Sequence, residues 1–177
     1  MKPVLAVKVI RNALERFDTS GTFTSIHLLF VKLALHSSSY AYALPILDKF
    51  LYQFPADTEH ACTEHLLCSV QTSNGMFITD SSGFSGVLTY RDYLQFYLYS
   101  AMIYMAVKQW DRASHCLNIV VLSPTANSVS KIMVEAYKKW TLVNLLGHGK
   151  VIHSKDISLR IIGPDQHHPT SSLPPPV

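Results

Sequence analysis

Charge is what this 177-residue sequence has least of: only 15% of its residues are Asp, Glu, Lys or Arg, against 48% hydrophobic. A surface that poor in charge is one that expects a partner. The net charge of +3 is too small for a nucleic-acid footprint, and no Lys/Arg run occurs beyond the pair Lys138–Lys139. Cysteine is scarce, with Cys62, Cys68 and Cys116 alone. That number excludes a disulfide framework and fits a reducing compartment. No N-x-[ST] acceptor occurs. Lys8 and Arg11 interrupt the apolar start too early for a secretion signal. The uncharged stretch from Tyr93 to Val107 carries Gln95 and Ser100 and falls short of the roughly 20 apolar residues a membrane span needs. It reads as a buried helix, and the whole as a soluble intracellular protein. No GxSxG, HExxH or GxGxxG is present.

What is present is helical periodicity, and it predicts an all-α fold. Val7, Ile10, Leu14 and Phe17 lie on one helix face that ends before Asp18-Thr-Ser-Gly21. Thr24 or Ser25 caps a helix over 25–36 that is apolar nearly all round and should be buried between neighbours. A third helix covers 39–54, with Pro45 delaying or kinking it. Residues 55–88, with Pro55, Asn74-Gly75 and SSGFSG, read as a mobile loop insertion with a short helix near 58–69. Thr89, with Asp92 three residues on, opens a helix to about Lys108. Further helices cover about 110–122 and 128–146. The latter carries a stripe of Val129, Ile132, Met133, Ala136, Tyr137, Trp140 and Val143, with Gly147 as its C-cap. The chain thus divides into a helical-repeat domain over 1–151 and a Pro-rich tail over 152–177, expected to be disordered.

The spacing repeats. Ala101, Tyr104, Trp110, Ala113, Leu117, Val120 and Pro124 follow the tetratricopeptide pattern, in which small residues let two antiparallel helices touch and aromatics fill the gap beside them. Tyr40, Ala43, Leu47, Phe50 and Pro55 repeat its second half. The predicted architecture is a tetratricopeptide-like solenoid of antiparallel helix pairs, with an irregular helical bundle as the alternative. Such arrays present long surfaces to partners and rarely do chemistry.

Several residues tempt a chemical reading. His60, Cys62, His65 and Cys68 offer zinc-type donors, but their spacing is not that of a zinc finger and no second ligand pair follows; polar loop residues are the better reading. Gly147-His-Gly-Lys150 lacks the frame of a phosphate loop and reads as a helix C-cap and turn. No catalytic, cofactor-binding or metal residues are assigned. In the aromatic and Met stripe of 96–105, Tyr97 and Tyr104 read as core, and Tyr99 and Met102 are left as a possible partner surface. The inner helix positions Gln95, Leu98, Tyr99, Met102 and Met105 cannot pair a carboxylate, which favours a scaffold over a free tetratricopeptide-type peptide receptor.

TSIH at 24–27, ALPILD at 43–48, AMIY at 101–104, VSKIMVEAYKKW at 129–140 and GKV at 149–151 are arranged like the middle of the subunit-three family of the COP-nine signalosome. The resemblance covers about residues 3–151. A proteasome-lid subunit of the same PCI class is a similar but poorer match. The resemblance implies a non-catalytic scaffold without cofactors, in cytoplasm and nucleus. Its partners would be the other subunits of a complex that removes a ubiquitin-like modifier from cullins, with the metal-dependent chemistry on a different subunit. It involves no nucleic acid, membrane or small-molecule substrate. Family members continue into a winged-helix module and a C-terminal helix. Here the sequence departs after Val151, so the chain reads as truncated and is expected to hold no stable place in the complex.

Overall fold

A computed structural model describes residues 3–17, 21–49, 51, 83, 85–123 and 130–149. Among them are six helices and no strand: α1 Pro3–Phe17, α2 Ser25–His36, α3 Tyr40–Leu47, α4 Tyr90–Ala106, α5 Trp110–Val121 and α6 Lys131–His148. Each starts or stops for a local reason. Thr89 and Asp92 form a capping box at α4: the Thr89 N–H donates to Asp92 Oδ2 at 3.0 Å, and the Asp92 N–H returns to Thr89 Oγ1 at 3.3 Å. Ser130 Oγ accepts from the Met133 N–H at the start of α6. Pro45 sits inside α3, which ends at Leu47 rather than near 54; a proline interrupts the ladder and the last carbonyls are closed by turns from Asp48 and Lys49. The α6 C-cap is Gly149, at φ 64, not Gly147. Gly147 is still helical, and its missing Cβ has a different use: a methyl there would lie 2.6 Å from Trp110 Cβ.

The helices form two layers. α2, α4 and α6 lie side by side in one; α1, α3 and α5 cover them from the other, with α4–α5 and α5–α6 the most extensive contacts. This is a helix-pair solenoid. The turns α2–α3 and α4–α5 repeat each other bond for bond. Ser38 and Lys108 both take left-handed backbone, at φ 53 and 61. Ser39 N–H donates to Ala34 O and Gln109 N–H to Tyr104 O, each at 2.9 Å, the signature of a helix end folded back on itself.

Two core clusters result. The first gathers Val7, Leu14, Phe23, Phe30, Val31, Ala43, Ile46, Phe96 and Ile103; the second gathers Leu94, Ala101, Tyr104, Ala113, Leu117, Val120, Met133, Ala136, Trp140 and Val143. Leu44, Leu47, Tyr93 and Tyr97 pack against both and join them. Two expectations need correction. α2 is not enclosed, because its neighbours cover only part of its circumference: Ile26 and Leu29 are 37% and 56% exposed. In α6 the buried set is Met133, Ala136, Trp140 and Val143, whereas Tyr137, one position off that face, is exposed and stacks on Trp140 with ring centroids 6.1 Å apart. Phe50, Pro55, Pro124, Val129, most of the 55–88 segment and the tail from 150 on lie outside the described residues.

Candidate functional site

Among the described residues, three joints and one face organise the side chains. The first joint is the repeat contact itself. Ala101 and Ala113 are fully buried in the same cluster with Leu117 and Tyr104, while Trp110 is half-buried at the edge. In the earlier repeat Ala43 is fully buried, and Tyr40 and Leu47 pack half-buried against the first cluster.

The second joint closes the gap between α3 and α5. A cleft of about 580 Å³ opens there, lined by Leu47, Leu51, Tyr97, Tyr104, Arg112 and Cys116 among others. The Tyr104 O–H donates to Asp48 Oδ1 at 2.9 Å, and Arg112 pairs with the same oxygen while its guanidinium lies 5.9 Å from the Tyr104 ring centre. The Tyr97 O–H reaches Leu51 O at 3.3 Å. Burial raises both tyrosine pKa values and pushes the Cys116 thiol up to about 12. At neutral pH the thiol is therefore protonated and packs as a small apolar group, with no thiolate to act as nucleophile or ligand.

The third joint explains the TSIH run. Thr24 caps α2, and its N–H and O–H both meet His27 Nδ1, at 3.2 and 2.8 Å. That nitrogen must accept, so the ring is neutral with its proton on Nε2. Burial, and then the charge of Lys49, hold the His27 pKa down at about 4. The ring lies 6.2 Å from Phe23 and 6.5 Å from Phe96. Next to it, Ser25 N–H donates to Ser85 Oγ at 3.1 Å and Gly86 N–H to Ser25 Oγ at 3.0 Å, so the approach to α4 is pinned to the start of α2. The sequence signal for this joint was a cap at Thr24 or Ser25, which does not by itself say that it meets His27.

The face is the outward side of α2 and α4. Tyr99 and Met102 are half-buried on α4, and Lys32 Nζ stands 5.9 Å from the Tyr99 ring centre. Leu98, an expected inner position, is instead buried in the second cluster, because it points between α4 and its partners. Among the described residues no group of three or more His, Cys, Asp or Glu could hold a metal ion, and no helix is long and apolar enough to cross a membrane. His60, Cys62, His65 and Cys68 lie outside them.

An array with this architecture has relatives. The family model for the N-terminal helical repeats of COP9 signalosome complex subunit 3 matches residues 1–162. The chain belongs to that family. It is 68% identical over 150 residues to COP9 signalosome complex subunit 3 of Emericella nidulans, covering 85% of this chain and 30% of the relative. The subunit 3 proteins of Neurospora crassa and Drosophila melanogaster are 32% and 28% identical, covering 82% and 85% of this chain. The chain thus spans about a third of the length of these curated relatives, at 29–31% for the three. The matched stretch is the family's N-terminal helical repeats, and it includes the residues of the joints described above.

Proposed function

We propose that this chain is the helical-repeat part of a non-catalytic scaffold subunit, acting by packing against other signalosome subunits in cytoplasm and nucleus. The observation that carries the reading is the 68% identity to a signalosome subunit 3 along 85% of the chain. The physical character agrees with it. The outer side of α6 leaves Val134, Tyr137, Leu142, Leu145 and Leu146 exposed, an apolar strip that another helical element would cover. The functional side chains of the joints are all spent on holding helices together. In the resemblance, removal of the ubiquitin-like modifier falls to a different subunit, and the family's main joints to a winged-helix module and a C-terminal helix.

The test is co-expression of the tagged 177-residue chain with the other subunits, followed by pull-down and sizing. The expected result is a weak, sub-stoichiometric complex carried by the repeats alone, lost when Leu142 and Leu145 are both changed to Glu. Retention of no subunit at any salt concentration, or retention unaffected by that double change, would overturn the reading.

A further inference from the structure

We propose that the outward face of α2 and α4 docks an amphipathic segment of a partner chain whose apolar side chains are flanked by carboxylates. The inference deepens the scaffold reading and rests on it only for there being a partner.

Position comes first. In a two-layer array, further helices stack on the two end faces, here the outer sides of α1 and α6, and the long face of a layer stays open whatever is added. That long face carries Ile26 and Leu29, the latter more than half exposed, beside Tyr99 and Met102. Single exposed apolar residues are ordinary, but here they form a row along α2 next to an aromatic and a thioether on α4. Met102 is the kind of side chain that adapts to a docked apolar group.

Charge then selects the partner. The row is bracketed by Lys32 and Arg91. Arg11, Arg112 and Lys139 pair with Glu15, Asp48 and Glu135, whereas Lys32 and Arg91 have no ion-pair partner among the described residues. α2 contains no Asp or Glu, and α4 contains Asp92 alone. The nearby Asp92 carboxylate feels the charges of Lys32 and Arg91, but it makes no salt bridge to either and is engaged chiefly at home: Oδ2 accepts from the Thr89 N–H at 3.0 Å and from its O–H at 2.6 Å. Lys32 is meanwhile held over Tyr99, so its ammonium is already placed and loses little freedom on meeting a carboxylate. Two cations with an apolar row between them complement a helix whose leucine-type anchors at i, i+3 or i+4 are edged by Glu or Asp.

The experiment is a fluorescence-anisotropy titration of the full 177-residue chain. The probe is a short, fluorescein-labelled helix-forming peptide with leucines at helical spacing flanked by glutamates. A twin peptide carries lysine at every glutamate. We expect the acidic probe to bind and the basic twin to bind at least about tenfold more weakly. Lys32→Glu and Leu29→Glu should each weaken the acidic probe by about tenfold or more, and Lys8→Glu on the opposite layer should not. All three positions are exposed, so an unchanged melting temperature will show that the array is intact. Equal binding of both peptides, or no effect of Lys32→Glu, overturns the proposal. A dimer on sizing that Leu29→Glu abolishes, with no peptide binding, gives the face to a second copy and overturns it as well. So does a peptide of residues 56–69 that matches the acidic probe, which would give the face to this chain's own segment. A failed pull-down beside a successful titration would remove the scaffold reading and leave this one standing.

Discussion

Around Phe23 and His27 the array closes over polar groups; around Ala113 and Trp140 it closes over small ones. In the first region Thr22, Thr24, His27 and Ser39 are buried, and the helices are tied by hydrogen bonds between elements. In the second region the buried side chains Ser100 and Asn144 bond to carbonyls one turn back on their own helices, Phe96 O and Trp140 O, and among the buried side chains described there the Tyr104 O–H alone reaches another element, at Asp48. There the helices meet through Ala101, Ala113 and Ala136, and through Gly147 against Trp110. The lesson is that one repeat pattern tolerates two kinds of cohesion. The polar region should be vulnerable to protonation and to loss of its aromatic hub, the small-residue region to added volume.

The largest effect should come from the hub. Phe23 is 99% buried and lies 5.2 Å from Phe96 and 5.9 Å from Tyr93, so Phe23→Ala empties the seam between α2 and α4. We expect a loss of about 3–5 kcal/mol in denaturant unfolding at neutral pH, and a shallower acid limb, because His27 loses part of its burial. A loss under about 1 kcal/mol would mean that the seam is not what holds the first region, since surface-like substitutions cost no more than that.

Protonation should come next. The native His27 imidazole titrates at about 4 and the unfolded one at 6.5, so between those values only the unfolded chain takes the proton. Stability is full above pH 6.5 and falls as the pH drops towards 4, by on the order of 3 kcal/mol in all. His27→Gln, whose amide oxygen can still accept from Thr24, should flatten that limb in urea melts recorded across the window. An equally steep limb in the variant would place the titrating group elsewhere and dissolve the contrast between the regions.

Added volume should cost least. Ala113→Leu should destabilise by about 1–3 kcal/mol, and Gly147→Ala by a similar amount despite the better helix former, because its methyl must displace Trp110 at its Cβ. Ala106→Leu, on the exposed end of α4, should stay within about 0.5 kcal/mol. Thermal melts that rank Ala106→Leu with Ala113→Leu would show that tight crossing does not distinguish the second region. None of the three volume changes should alter the acid limb.

The fold was legible because helical periodicity is a local property: α2 begins at Ser25 and α5 at Trp110, where the sequence places them. The repeat was read from small residues at helical spacing, and Ala43, Ala101 and Ala113 are fully buried. What was not legible depends on contacts between distant segments. Gly147 looks like a C-cap by composition, and only the approach of Trp110 from α5 shows why a glycine is needed two residues before the cap at Gly149. The apolar circumference of α2 suggested full enclosure, because periodicity counts apolar residues and says nothing about how many neighbours arrive. His27 gave no signal of its own, since a histidine at the third helical position becomes a cap partner only when the surrounding aromatics strip it of water. Tyr99 and Met102 were expected only as a possible partner surface, and Lys32 and Arg91, which the proposed face adds, sit on two helices far apart in sequence.

The pin between Ser25 and Ser85–Gly86 has a consequence for how α4 is held. It fixes where α4 starts by reference to α2, not by reference to the end of α3. The phase of α4 against α2 is then set by two hydrogen bonds at their starts. Cutting the two bonds at the pin should therefore loosen the start of α4 against α2 even where α3 is left intact.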